Sequence, residues 1–376
     1  MVDATGSPDC GAATWANSCR KVTVLSALNY GTLTSGDQTY CSGSIDPDNI
    51  TFSTNPSGGS GTFNYQWYYQ DGLPACPSGT NTAGWTLISG ATGNSYDPPS
   101  GLTASRTYAV LVDPVGSPDC GVATWASGCR KITVLSVVNF GTLTNADQTF
   151  CAGSIDPANI TFSSVPSGGT GTFSYQWYYQ DGLPACPSGT NTAGWTLISG
   201  ATGTSYDPPA GLTISRTYAV QVDPTGSPDC APGTWASGCR KITVLAAINY
   251  GTVASGDESF CAGSNDPSNI TLSTAPSGGS GSFTYQWYFQ NGLPACPSGT
   301  STAGWTIIVG ATGSSYDPPA GLAASRTYAV FVDATGSPDC GVATWANGCR
   351  KVTVLNAVNY GTLATGDQTI CNGGDP

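Results

Sequence analysis

Fifteen cysteines are the residues of this 376-residue chain most able to do chemistry, and their spacing decides which chemistry. Cys10, Cys120, Cys230 and Cys340 stand 110 residues apart, as do Cys19, Cys129, Cys239 and Cys349. Cys41, Cys151, Cys261 and Cys371 keep the same interval, and so do Cys76, Cys186 and Cys296. None of this is zinc-type spacing, and identical placement in every period argues against a metal or redox centre. Disulfides are the expected chemistry, and they call for an oxidising, extracellular setting. Four cysteines per period allow three pairings within one unit. Local closure favours Cys120 with Cys129, which flank one loop, and leaves Cys41 with Cys76. The alternatives are Cys41 reaching Cys120 or Cys129, or a bond between neighbouring units.

Histidine is absent, which removes the commonest general base, metal ligand and pH switch and makes a Ser-His-Asp or Cys-His arrangement impossible. Carboxylates are plentiful, and Glu258 is the only glutamate among 23 acidic residues. Asp46 and Asp48 flank Pro47 as a loop calcium site would require. Asp48, however, becomes Ala158 and Ser268 in the following units, so no dedicated metal site is expected. No cofactor is expected either, with weak calcium association left open. Asp37, Asp71, Asp97, Asp113 and Asp119 read as turn residues. Arg20-Lys21 and Arg106, with their equivalents, read as their local partners. A net charge of −12 and a pI near 4.1 argue against nucleic acid or an anionic membrane as partner. Glycosidase chemistry needs two carboxylates across a cleft, which a single sandwich repeated in line does not offer. Asn49-Ile-Thr matches a glycosylation acceptor and recurs at Asn159 and Asn269.

The elements that must position these residues follow from the repeat. The register is unbroken, and Asp71-Gly-Leu-Pro-Ala-Cys-Pro-Ser-Gly-Thr recurs letter for letter from Asp181. A period of this length is a whole domain rather than a solenoid turn. Strand patterns cover Ile50-Thr-Phe-Ser-Thr, Thr62 to Gln70, Trp85 to Ile88, Arg106 to Asp113 and Lys131 to Leu135, with Gly/Pro-rich turns between them. Phe63, Tyr65, Trp67 and Tyr69 fall on one face of their strand. The expected fold class is all-β: tandem immunoglobulin-like β-sandwiches of about seven strands, disulfide-bonded and arranged end to end as a rod. Full repeats are expected at 27–136, 137–246 and 247–356, flanked by partial ones at 1–26 and 357–376. The connection from Val134 to Leu143 has no flexible tract, which favours stiff end-to-end packing at roughly 35–45 Å per unit. Met1 falls where Leu111, Gln221 and Phe331 stand, inside a strand pattern, so the termini read as cuts and any export signal as lying outside. No apolar run is long enough to span a bilayer, so direct membrane insertion is not expected.

Trp67, Trp177 and Trp287 are expected in the core. Tyr68, Trp125 and Trp235 are candidates for a surface platform that stacks on sugars, with packing or interdomain contact favoured over that role.

The chain resembles a known group through Gly36-Asp-Gln-Thr-Tyr-Cys-Ser-Gly, Gly58-Gly-Ser-Gly-Thr-Phe-Asn-Tyr-Gln-Trp, Trp85-Thr-Leu-Ile-Ser-Gly-Ala-Thr-Gly-Asn-Ser-Tyr, Arg106-Thr-Tyr and a late Cys before Ile-Thr-Val. These are similar to the immunoglobulin-like repeats of large secreted Bacteroidota surface proteins. Such repeats are associated with gliding-type adhesins and type IX secretion. The resemblance implies an extracellular array, attached to the cell surface or secreted as a filament, without catalytic activity. Its expected partners are neighbouring domains, identical chains in a fibre, or surface glycans bound multivalently. The stalk of a filament or adhesin is the leading reading and the glycan-binding array its alternative.

Overall fold

The computed structural model describes residues 15–34, 36–43, 45–153, 155–263 and 266–363, with 366 and 372. Among them there is no helix, and none that could cross a membrane. Repeat 1 contains β1 (Thr32–Leu33), β2 (Gln38–Cys41), β3 (Phe52–Thr54), β4 (Phe63–Asp71), β5 (Thr86–Leu87), β6 (Arg106–Pro114), β7 (Thr124–Trp125) and β8 (Arg130–Leu135). Eight strands therefore stand where about seven were expected, because β7 is a two-residue strand inside what reads as a loop. The same eight recur as β9–β16 from Thr142–Leu143 to Arg240–Leu245, and as β17–β24 from Thr252–Val253 to Arg350–Leu355. The chain is an all-β series of disulfide-bonded immunoglobulin-like sandwiches.

In repeat 1 the small sheet is β1–β3, and the large sheet runs β2-β8-β6-β4-β5 with β7 on β6. Alternation in β4 and β6 puts one face of the large sheet onto the small one. Between them lie Leu33, Ile50, Trp67, Val110, Val112 and Ile132, all buried, with Phe52, Tyr65 and Tyr96 packed around them. Trp67 is fully enclosed and donates its indole N–H to the Gly93 carbonyl at 2.9 Å, so a polar group carried into the core keeps a partner. Trp177 and Trp287 repeat this burial and bond. In repeat 3 the large sheet has the same order, β18-β24-β22-β20-β21.

β2 pairs with β8 in parallel, Gln38 opposite Ile132 and Cys41 opposite Leu135. Both strands consequently finish at one end of the sandwich, where the main chain leaves for the next repeat. The connection beyond Leu135 is held by its own backbone. Ser136 accepts a hydrogen bond from Gly169 N–H at 2.9 Å, and Asn139 exchanges two bonds with Ser167. At the next connection Ala246 accepts from Gly279 and Asn249 exchanges with Ser277.

By packing, the chain falls into two compact units. One contains repeat 1 with Val165–Ser174 and Val222–Thr234; the other contains Thr142–Ser164, Tyr175–Gln221 and repeat 3. Both units thus cross a repeat boundary.

Candidate functional site

The cysteines divide into two kinds of bond. Cys76 joins Cys129, Cys186 joins Cys239 and Cys296 joins Cys349, each across 53 residues of sequence. Cys41 joins Cys230 and Cys151 joins Cys340, each across 189. The expected Cys120–Cys129 and Cys41–Cys76 pairs are therefore corrected. Cys120 and Cys129 share a loop in sequence, but β7 folds back onto Leu111 and Val112 and separates them. Cys129 is turned onto the outer face of the large sheet, towards the loop that follows β4, while Cys120 stays at the end where the repeat begins. Among the described residues Cys19, Cys120 and Cys261 are free and exposed. Cys10 and Cys371 lie outside the described residues.

The long bonds follow from the strand geometry. Parallel pairing with β8 places Cys41 at the exit end of repeat 1. Cys230 sits on the loop between β14 (Arg216–Thr225) and β15 (Thr234–Trp235), beside Gly169. A Cβ on Gly169 would stand 3.7 Å from Cys230 Cβ and 3.2 Å from Val138, so Cys230 lies at the entry of repeat 2. The bridge thus crosses the boundary next to the backbone connection. Cys151, opposite Leu245 at the end of β10 (Gln148–Cys151), reaches Cys340 in the same manner, and Cys340 lies near Gly279 and Ile248. The two boundaries between the full repeats are each spanned twice, by peptide and by disulfide. No single residue announced this. The usable signal was equal cysteine count in every period, which a ladder from one repeat to the next satisfies as well as closed pairs do.

The short bonds pin the Pro/Gly-rich loop that follows β4. Trp125 is 4% exposed, donates its indole N–H to Asn81 O at 2.9 Å, and packs against Tyr68 and Trp85 at ring distances of 5.1 and 5.5 Å. With Ala109 and Cys129 these rings form a second small core on the outer face of the sheet. Trp235 is equally buried, against Tyr178 and Trp195. Trp125 and Trp235 are packed beneath the loop, the role favoured for them over sugar stacking, so neither ring offers an open stacking face. Tyr68 is half-buried in the same cluster.

Charged residues serve local structure. Arg106 bonds Asp71 at 2.8 Å and lies over the Tyr69 ring at 4.3 Å, and Arg216 repeats both contacts with Asp181 and Tyr179. Asp37 accepts the Lys131 N–H, and Asp119 the Gly121 N–H. Asp48 is engaged by Gln38. Glu258 holds Arg350 at 2.7 Å and accepts the Ser268 N–H at 3.0 Å. Burial works against its ionisation, but the bonds from Ser268 and the nearby guanidinium outweigh it, and its pKa is lowered. Among the described residues no group of three or more His, Cys, Asp or Glu is arranged to hold a metal.

No family model and no curated protein matches the chain. Among solved structures it is similar to Sidekick-1 immunoglobulin domains 1-4, at 10% identity and a TM-score of 0.27, over 88% of this chain and 75% of that one. It is also similar to protocadherin gamma B2 extracellular cadherin domains 3-6, at 13% identity and 0.35, over 89% and 77%. A further likeness is to the N-terminal four Ig domains of Dscam1 isoform 4.44, at 10% identity and 0.25, over 87% and 75%.

Proposed function

We propose that the chain is a load-bearing segment of an extracellular stalk or filament, in which disulfides carry tension from each repeat to the next. The observation that carries this reading is the pair of bridges Cys41–Cys230 and Cys151–Cys340. A bond inside one domain stabilises that domain by restricting its unfolded chain. A bond across the boundary does something else: it bypasses the domain. Tension applied between Ala27 and the entry of repeat 2 crosses at Cys41–Cys230, so for that load residues 42–229 need not extend even if they unfold. The five disulfides among the described residues fit an oxidising setting outside the cell. Near-identity of the units supports a role in which length, rather than one specialised repeat, is the product.

Pulling between handles at Ala27 and Pro232 tests this. The covalent path through Cys41–Cys230 is short, so extension stops at about 60 Å under oxidising conditions, at roughly 3.6 Å per residue. After reduction the same handles separate by about 700 Å on that scale. An oxidised extension of several hundred ångströms would show that tension runs through the folded domain and would refute the proposal.

A further inference from the structure

Arg130, Arg240 and Arg350 each open the last strand of their repeat, and all three are buried, with 7, 4 and 8% exposure. A guanidinium taken out of water needs negative charge beside it, and burial without that is costly. Two of the repeats place a carboxylate at the same point, each in its own way. In repeat 3 one oxygen of Glu258 takes Arg350 Nη2 at 2.7 Å, and the other accepts the Ser268 N–H at 3.0 Å. In repeat 1 the counterpart of Glu258 is Gln38. Its oxygen accepts the Asp48 N–H, and its Nε2 donates to the Asp48 carboxylate.

Repeat 2 has neither carboxylate. Gln148 stands at the Glu258 position, and Ala158 stands where Asp48 does. The strand register is unchanged, with Gln148 opposite Ile242 as Glu258 is opposite Val352. Gln148 Oε1 accepts the Ala158 N–H at 3.0 Å, which turns Nε2 to the side where Glu258 meets its arginine. Two sets of N–H donors, from Gln148 Nε2 and Arg240, therefore share one place. Among the described residues Arg240 has no ion-pair partner, and its buried Nε has no hydrogen-bond partner. Burial lowers its pKa, and the charge of Asp147, which works the other way, does not make up the difference. The Asp147 carboxylate is already engaged by the Lys241 N–H at 2.8 Å.

We propose that repeat 2 binds a small monovalent anion such as chloride, held between Gln148 Nε2 and the Arg240 guanidinium. The other repeats supply a negatively charged acceptor at this point from their own side chains, so a single-atom anion does here what Glu258 and Asp48 do there. Charge-assisted bonds from the guanidinium and a neutral bond from the amide hold it. Gln148 is half-buried, so the place is reached from solvent, while Arg240 forms its inner wall.

The test is hydrogen exchange of the full oxidised chain in sodium chloride against sodium gluconate, whose anion is bulky, at equal ionic strength. Amides of β16 should exchange more slowly as chloride rises, by about fivefold at four times its dissociation constant, as for any ligand bound only by the closed repeat. Amides of β24, where Glu258 already pairs with Arg350, should not respond. Gln148→Glu should protect β16 in gluconate and abolish its response to chloride. Ala158→Asp, which copies the repeat 1 arrangement, should weaken that response in the same direction. Exchange of β16 that is indifferent to chloride would overturn the proposal, with water alone at the site. An equal response in β24, or a full response retained in Gln148→Glu, would overturn it too.

Discussion

Glu258 shows how one position is rewritten within a fixed frame. Its counterparts are Gln38 and Gln148, and each of the three accepts a hydrogen bond from the N–H ten residues on, at Ser268, Asp48 and Ala158 respectively. Where the partner residue is Asp48, the acceptor is a neutral amide that also bonds the carboxylate; where it is Ser268, the carboxylate stands on the acceptor side instead, as Glu258, and takes Arg350. Two facing carboxylates would repel, and no repeat has them. The replacement of Asp48 by Ala158 and Ser268 was legible as soon as the three repeats were aligned, but its pairing with Gln38 was not. Since the folded pKa of Glu258 is lowered from 4.5, its stabilisation is fully present above that value and is lost as pH falls through the folded pKa. Glu258→Gln should cost repeat 3 about 1 kcal/mol at pH 7 and nothing at strongly acidic pH. Hydrogen exchange of β24 amides at both pH values would measure it; an equal loss at both would show that the ion pair is not the source.

At the scale of elements, sequence pattern located the long strands because alternation and aromatic content are local properties. β4 and β6 fall within a residue or two of the expected spans. The short strands β3 and β5 fall inside the expected Ile50–Thr54 and Trp85–Ile88 patterns, whereas the two-residue β7 and the parallel β2–β8 pair were not legible, since β7 leaves no periodic signal and parallel edge pairing is fixed by the whole sandwich. That gap is why the cysteine pairing was misjudged: loop closure favoured Cys120 with Cys129, and only the strand order shows that Cys41 faces the following repeat. For the aromatics, packing was the favoured reading, but which loop would cover Trp125 and Trp235 left no sign in the sequence. One glycine is decisive at the repeat boundary. Gly58 has φ +89°, and a Cβ there would come within 2.0 Å of the Ala27 carbonyl oxygen; Gly168 against Val137 and Gly278 against Ala247 repeat the contact. Gly58→Ala should destabilise the connection by about 2 kcal/mol or more, from the left-handed backbone and the clash together. The Asn29 and Ser57 amides, which pair across this contact, should then exchange faster while β4 amides do not. Unchanged exchange at both would show that the approach is not required.

At the scale of the molecule, the account depends on one feature: successive repeats share a disulfide as well as a peptide bond. A row of domains joined by peptide alone lengthens whenever one unit opens. A cross-linked row resists this without needing exceptional stability in any single domain, and near-identical units supply it at both boundaries between the full repeats. The repeat was legible from the cysteine interval and the all-β class from the strand patterns, while a bond between neighbouring repeats stood only as one alternative pairing, because a sequence separation of 189 looks remote until the fold brings it together. The most direct measurement is peptide mapping of the non-reduced chain by mass spectrometry. It should recover peptides linking Cys41 to Cys230 and Cys151 to Cys340, alongside those linking Cys76 to Cys129 and its two equivalents. Peptides linking Cys41 to Cys76, or Cys120 to Cys129, would show closed bonds within each repeat and contradict the account.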